Sequence, residues 1–69
     1  IKNLGDRIRK QRELAGETQK ELADGIGAAQ SAVSQLEKGI NEPKAMYLKA
    51  ISLRYNVTSD YLLGITDIF

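Results

Sequence analysis

The sequence predicts an all-α domain of five short helices. Three observations predict it. Apolar residues recur at three- and four-residue steps along the whole chain, the spacing that puts them on one face of a helix. A single Pro and the lack of β-branched runs leave little that favours strands. Glycines and capping residues punctuate the periodic stretches where helix ends are needed.

The first helix is expected over Leu4 to Ala15. Leu4, Ile8 and Ala15 share one stripe, Arg7, Arg9, Lys10 and Glu13 face water, and Gly16 ends the helix as a left-handed residue. Thr18, with Glu21 three residues on, forms a capping box that starts the second helix. Leu22, Ala23 and Ile26 are its inner stripe, and Gly25 and Gly27 mark its end. The third helix is expected from Gln30 to Lys38, with Val33 and Leu36 inward, Ala29 and Ala32 beside them, and Gly39 as the stop. Its outer stripe is Gln30, Ser31, Ser34, Gln35 and Lys38. Ile40-Asn41-Glu42-Pro43 reads as a loop, with Pro43 suited to the first turn of a fourth helix. That helix covers about Lys44 to Tyr55, with Leu48, Ile51 and Tyr55 inward and Asn56 left-handed behind it. Thr58 caps a short fifth helix, about Ser59 to Leu63, closed by Gly64.

Composition narrows the function. Sixty-nine residues make one small domain, whose core supplies roughly 3–5 kcal/mol. With neither Cys nor His there is no disulfide and no zinc site of the Cys/His kind. This fits a reducing cytoplasm. No apolar run approaches the roughly 20 residues that span a bilayer, so no membrane partner is expected. Ten basic and nine acidic residues give a net charge of +1. A purely electrostatic binder of nucleic acid would be far more basic, so any case for DNA must rest on where side chains sit. No Walker loop, dinucleotide fingerprint or nucleophile motif is present. Glu13, Glu17, Glu21 and Asp24 cluster only by spacing, and Glu21 already belongs to a cap. No enzymatic activity, cofactor, metal or small-molecule ligand is expected.

The link between the second and third helices is the informative stretch. It is three or four residues long and contains Gly27, which adopts positive φ without the steric cost a Cβ brings. A sharp turn between two steeply inclined helices needs such a residue. Ala23 lets the helices approach closely, and Ile26, Val33 and Leu36 lock the pair.

With these residues assembled, Gln19 to Leu36 resembles the helix-turn-helix of the lambdoid phage repressor and Cro family, also called the xenobiotic-response-element family. That family has Gln first, a small residue fifth and Gly ninth, here Gln19, Ala23 and Gly27. Its apolar positions fall on Leu22, Ile26, Val33 and Leu36. The resemblance covers nearly the whole chain, including Leu4-Gly5-Asp6-Arg7-Ile8-Arg9 and Ser59-Asp60-Tyr61-Leu62-Leu63-Gly64. It implies a five-helix lambda-repressor-like DNA-binding domain over residues 1–64 and a tail at 65–69, in a cytoplasmic protein that is bacterial or phage-encoded.

In this arrangement the second helix of the motif enters the major groove N-terminal end first. Gln can bridge N6 and N7 of adenine, and Ser donates to or accepts from several bases. Gln30, Ser31, Ser34 and Gln35 are therefore expected to read base edges. A polar helix face is ordinarily just a solvated one; here its place after the Gly turn and its lack of acidic residues favour base contact. By resemblance, Gln19 bonds a phosphate and braces Gln30. Lys38, Asn41 and Lys44 touch backbone phosphates, with a base as a further option for Asn41. The N-terminal amides of the second helix offer another phosphate site. The family also pairs an Arg on the first helix with a Glu at the end of the third, here Arg12 and Glu37, as a structural ion pair. Three departures stand out. Glu17 replaces an apolar staple, Ala28-Ala29 gives the third helix no side-chain cap, and Lys44 stands where a Ser or Asp cap is usual.

One recognition helix reads only a few base pairs, so family members commonly bind double-stranded DNA as twofold dimers. A homodimer on a palindromic operator is expected. Ile65, Ile68 and Phe69 in the tail are either a dimer contact or the start of a linker. The leading function is transcriptional regulation, as a repressor. Two alternatives stay open on this fold. One is an antitoxin whose main partner is a toxin protein. The other is a protein-interaction module that has lost DNA binding, against which Gln30, Gln35, Lys38 and Lys44 speak.

Overall fold

Each of the five periodic stretches forms a helix in the computed structural model, which describes residues 4–40 and 43–66. They are α1 (Leu4–Leu14), α2 (Gln19–Ile26), α3 (Gln30–Lys38), α4 (Ala45–Tyr55) and α5 (Ser59–Leu62). No strand occurs among the described residues. The starts of α2 and α5 are fixed by local chemistry. Thr18 Oγ1 accepts from the Glu21 amide at 3.1 Å, and Glu21 Oε1 accepts from the Thr18 amide at 2.9 Å. Thr58 Oγ1 accepts from the Tyr61 amide at 3.1 Å. Asn56 closes α4 in the left-handed conformation, as its position suggested.

The core is built around one large, fully buried side chain from each helix: Ile8, Leu22, Val33, Ile51 and Leu62. Leu4, Ala23, Val57 and Tyr61 complete it, and Ile26, Leu48 and Tyr55 pack against its edge. α3 packs mainly on α1 and α2, while α4 and α5 close the opposite side. Burying each large aliphatic side chain is worth about 1.5–3 kcal/mol. Five such residues from five helices make the fold cooperative, because no helix keeps its apolar face covered alone. Val57, between α4 and α5, was not among the expected core residues; a single residue in a linker carries no periodicity.

Several expectations are corrected. α1 stops at Leu14, and Ala15 is exposed rather than part of the inner stripe. Ala29 is likewise exposed and serves as the backbone N-cap of α3. Gly25 lies inside α2, and only Gly27 ends it. Pro43 precedes the N-cap residue Lys44 instead of entering the first turn of α4. α5 ends at Leu62, with Leu63 as its C-cap. Arg7 does not simply face water. Its Nη1 donates to the carbonyls of Tyr61 at 2.9 Å and Thr66 at 3.0 Å, and its guanidinium lies 4.7 Å from the centre of the Tyr61 ring. Gln11 is buried and donates to the Tyr61 hydroxyl at 3.3 Å. The chain beyond α5 is thus held back against α1 as far as Thr66. Among the described residues no helix is long and apolar enough to cross a membrane.

Candidate nucleic-acid interface

The turn between α2 and α3 is made by Gly27, Ala28 and Ala29. Gly27 has φ 72° and ψ 31°, and its amide donates to the Ala23 carbonyl. The Ala28 amide bonds the same carbonyl at 2.9 Å. A Cβ at Gly27 would meet nothing within 4 Å, so glycine is required there by backbone conformation and not by space. The turn delivers α3 with Val33, Leu36 and Glu37 buried on one side. Gln30, Ser31, Gln35 and Lys38 are exposed on the other, and Ser34 is half-buried between them. Gln30 with Ser34, Ser31 with Gln35, and Ser34 with Lys38 are each four residues apart, so the five side chains share one face. That face carries hydroxyls, carboxamides and one ammonium, and no carboxylate.

Behind this face lies a buried ion pair. Arg12 Nε donates to Glu37 Oε2 at 2.7 Å, and Arg12 Nη2 donates to Glu37 Oε1 at 3.1 Å. Arg12 Nη1 also donates to the Glu17 carbonyl at 2.7 Å, tying the end of α1 to the chain entering α2. The Glu37 side chain is 4% exposed and the Arg12 side chain 12%. Hydrogen bonding to Glu37 holds the Arg12 guanidinium above its ordinary pKa. Gln19 joins the pair: its Nε2 donates to Glu37 Oε1 at 3.2 Å. Sequence reasoning gave Gln19 a phosphate and Gln30 as partners; here Glu37 takes one of its amide hydrogens. The capping box also takes the amides of Thr18 and Glu21. At the start of α2, only those of Gln19 and Lys20 are left for a phosphate.

Glu17, the departure from the expected staple, has a partner of its own. Arg54 on α4 donates to both carboxylate oxygens, through Nε at 3.1 Å and through Nη2 by a short contact. An ion pair between α4 and the α1–α2 link thus stands where an apolar clip was expected. Gly25 makes room for it: a Cβ there would lie 2.1 Å from Arg54 Nη1. The pairing with Arg54 holds the Glu17 carboxyl below its ordinary value of 4.5. Burial, with the Glu17 carboxylate beside it, pushes the Tyr55 phenol up. Because the folded pKa of Glu17 is depressed, its contribution is complete above about pH 4.5 and is lost as pH falls through the lower folded value. Glu17→Gln is therefore expected to lower the melting temperature at neutral pH but to converge with the parent chain in acid. Melting curves for both from neutral to strongly acid pH check this; a constant difference across the range would contradict it.

The remaining expected residues are only partly placed. Lys44 is exposed at the N-cap of α4 and makes no side-chain cap bond, as its identity foretold. Asn41, Ile68 and Phe69 lie outside the described residues. Ile65 is 71% exposed.

The family model described as Helix-turn-helix matches residues 8–62, from the middle of α1 to the end of α5. The chain belongs to the helix-turn-helix family. One relative is the HTH-type transcriptional regulator ImmR of Bacillus subtilis, 39% identical over 62 residues. The match covers 90% of this chain and 49% of ImmR, so the chain spans about half the length of that helix-turn-helix relative. Among solved structures, the P22 c2 repressor in complex with a synthetic operator aligns with a TM-score of 0.82 and 34% identity, covering 86% of this chain and 89% of that one. The N-terminal DNA-binding domain of SinR from Bacillus subtilis gives a TM-score of 0.82 and 31% identity, covering 88% and 90%. The five-helix, lambda-repressor-like class expected from the sequence is thereby established.

Proposed function

We propose that this chain is the DNA-reading domain of a transcriptional repressor and that α3 is its recognition helix. The observation that carries the reading is the exposed, carboxylate-free face of Gln30, Ser31, Ser34 and Gln35 directly after the Gly27 turn. Its likeness to a repressor solved on an operator supports the same docking. Placed N-terminal end first in the major groove, these four side chains meet base edges. Gln19 before them and Lys38, Asn41 and Lys44 after them meet phosphates. No step of this reading calls for catalysis or a cofactor. One α3 reads only a few base pairs, so two copies bind a palindromic operator with α3 helices about 34 Å apart. Residues 1–64 form the reading domain, and the tail that begins at the exposed Ile65 is either a contact with the second copy or the start of a linker.

Selection from a random duplex library at moderate salt, with sequencing of the bound pool, tests the reading. A twofold motif with half-site centres about 10 base pairs apart is expected. A bound pool no different from the input would overturn it.

Two substitutions separate base from phosphate contacts on the selected duplex. Gln30→Ala is expected to cost about 1–3 kcal/mol of specific affinity and to leave binding to unrelated DNA nearly unchanged. Equal losses on both would remove Gln30 from the base-reading set. Lys44→Ala is expected to weaken binding to every sequence and to reduce the slope of log affinity against log salt by about 0.9. An unchanged slope would take Lys44 out of the phosphate set.

A further inference from the structure

Gln19, at the first position of α2, is half-buried, and Glu37 beneath it is buried. The Gln19 Nε2 carries two hydrogens, and one of them is committed to Glu37 Oε1 at 3.2 Å. A planar amide cannot point both hydrogens the same way. With one directed at the buried Glu37 carboxylate, the other is left for a different partner, and Gln19 is itself half-exposed. Left free, a Gln side chain at a helix start samples several rotamers and must be ordered when DNA arrives. Tethered to Glu37, it is ordered beforehand.

The carboxylate that holds the amide brings a difficulty. An uncompensated negative charge one side chain below a DNA phosphate would repel it. Arg12 answers this with two hydrogen bonds, at 2.7 Å to Oε2 and at 3.1 Å to Oε1, the oxygen that also accepts from Gln19. The ion pair thus presents a neutral acceptor to Gln19, and its position at the C-terminal end of α3 links the amide to the recognition helix itself.

We propose that Glu37 is a positioning residue for DNA binding: neutralised by Arg12, it fixes the Gln19 amide so that its second N–H meets a backbone phosphate. The inference rests on the DNA-binding reading and adds to it a function for the buried ion pair beyond stability.

The test is a double-mutant cycle on the selected duplex at fixed salt. Gln19→Ala in the parent chain is expected to lower affinity about tenfold or more, the effect of a hydrogen bond to a charged group. Because Gln carries no charge, the salt slope is expected to stay the same. Arg12→Met with Glu37→Leu removes the acceptor while keeping volume in the buried site, and circular dichroism confirms that this variant is folded. In it, affinity is expected to be as low as in Gln19→Ala, and adding Gln19→Ala is expected to change it by less than about twofold. A full tenfold loss in both backgrounds would overturn the proposal, since Gln19 would then act without Glu37. No loss on Gln19→Ala in the parent chain would also overturn it while leaving the DNA reading intact; failure of the parent chain to bind any duplex would instead overturn the reading. A second measurement needs no variant. On titration of the labelled parent chain with duplex, one Gln19 side-chain amide proton resonance is expected to move and the other to hold. Movement of both to solvent-like positions would show the Glu37 bond broken on binding and overturn the proposal.

Discussion

Arg12→Ala is expected to leave most of the chain unfolded at room temperature. The substitution strands the Glu37 carboxylate, 4% exposed, without the guanidinium that gives it two hydrogen bonds. Removing one member of a buried pair costs about 3–5 kcal/mol. A core of this size supplies roughly the same, 3–5 kcal/mol. Removing both charges is different, because no uncompensated ion is left behind. Arg12→Met with Glu37→Leu is expected to remain folded, with a stability near that of the parent chain. Urea titrations followed by circular dichroism check both. Equal destabilisation by the single and double substitutions would mean that the pair contributes only its packing.

Gly5→Ala is the second large effect, and its sign separates two ideas of what that glycine does. In the interior of a helix, exchanging Gly for Ala ordinarily stabilises by about 0.5–1 kcal/mol. Here a Cβ would lie 2.4 Å from the Leu36 carbonyl oxygen and 2.6 Å from that of Glu37. Both are backbone atoms at the end of α3, so no flexible side chain can swing aside. α1 must move off α3, and overpacking of this kind costs about 1–3 kcal/mol. At roughly 4–8 °C per kcal/mol for a domain this small, the melting temperature is expected to fall clearly. A rise would show that α1 and α3 have room to spare. The shift would also disturb Arg12 and Glu37, which join the same two helices.

What the sequence disclosed divides along a physical line. The extent of α3 was legible, because Val33 and Leu36 set its inner face, Gly39 its end, and its polar face is what remains. The Gly27 turn and the Thr18 and Thr58 caps were legible too, since each is a contact within a few residues. The Arg12–Glu37 pair was anticipated only through family resemblance. The other contacts between distant parts of the chain were not anticipated. Glu17 and Arg54 are 37 residues apart, and nothing in the link that holds Glu17 or in the pattern of α4 points to the other. Arg7 read as a water-facing residue because helical periodicity states which side of α1 it occupies. It does not state that the segment after α5 returns to cover that side. Gly5 left a faint signal, a glycine one residue into a helix, but its reason lies in the α3 carbonyls above it. Gln19 was assigned to the interface from its motif position; its bond to Glu37 became visible only once α1, α2 and α3 were brought together.

The central claim is that the polar face of α3 is the surface that meets DNA. Titrating the isotopically labelled chain with a selected duplex and following every backbone amide by NMR tests it most directly. The account predicts the largest shifts at Gln19, Gln30, Ser31, Ser34, Gln35 and Lys44, with small shifts along the outer face of α4. Largest shifts around the exposed Leu14 and Leu53, with α3 undisturbed, would contradict it.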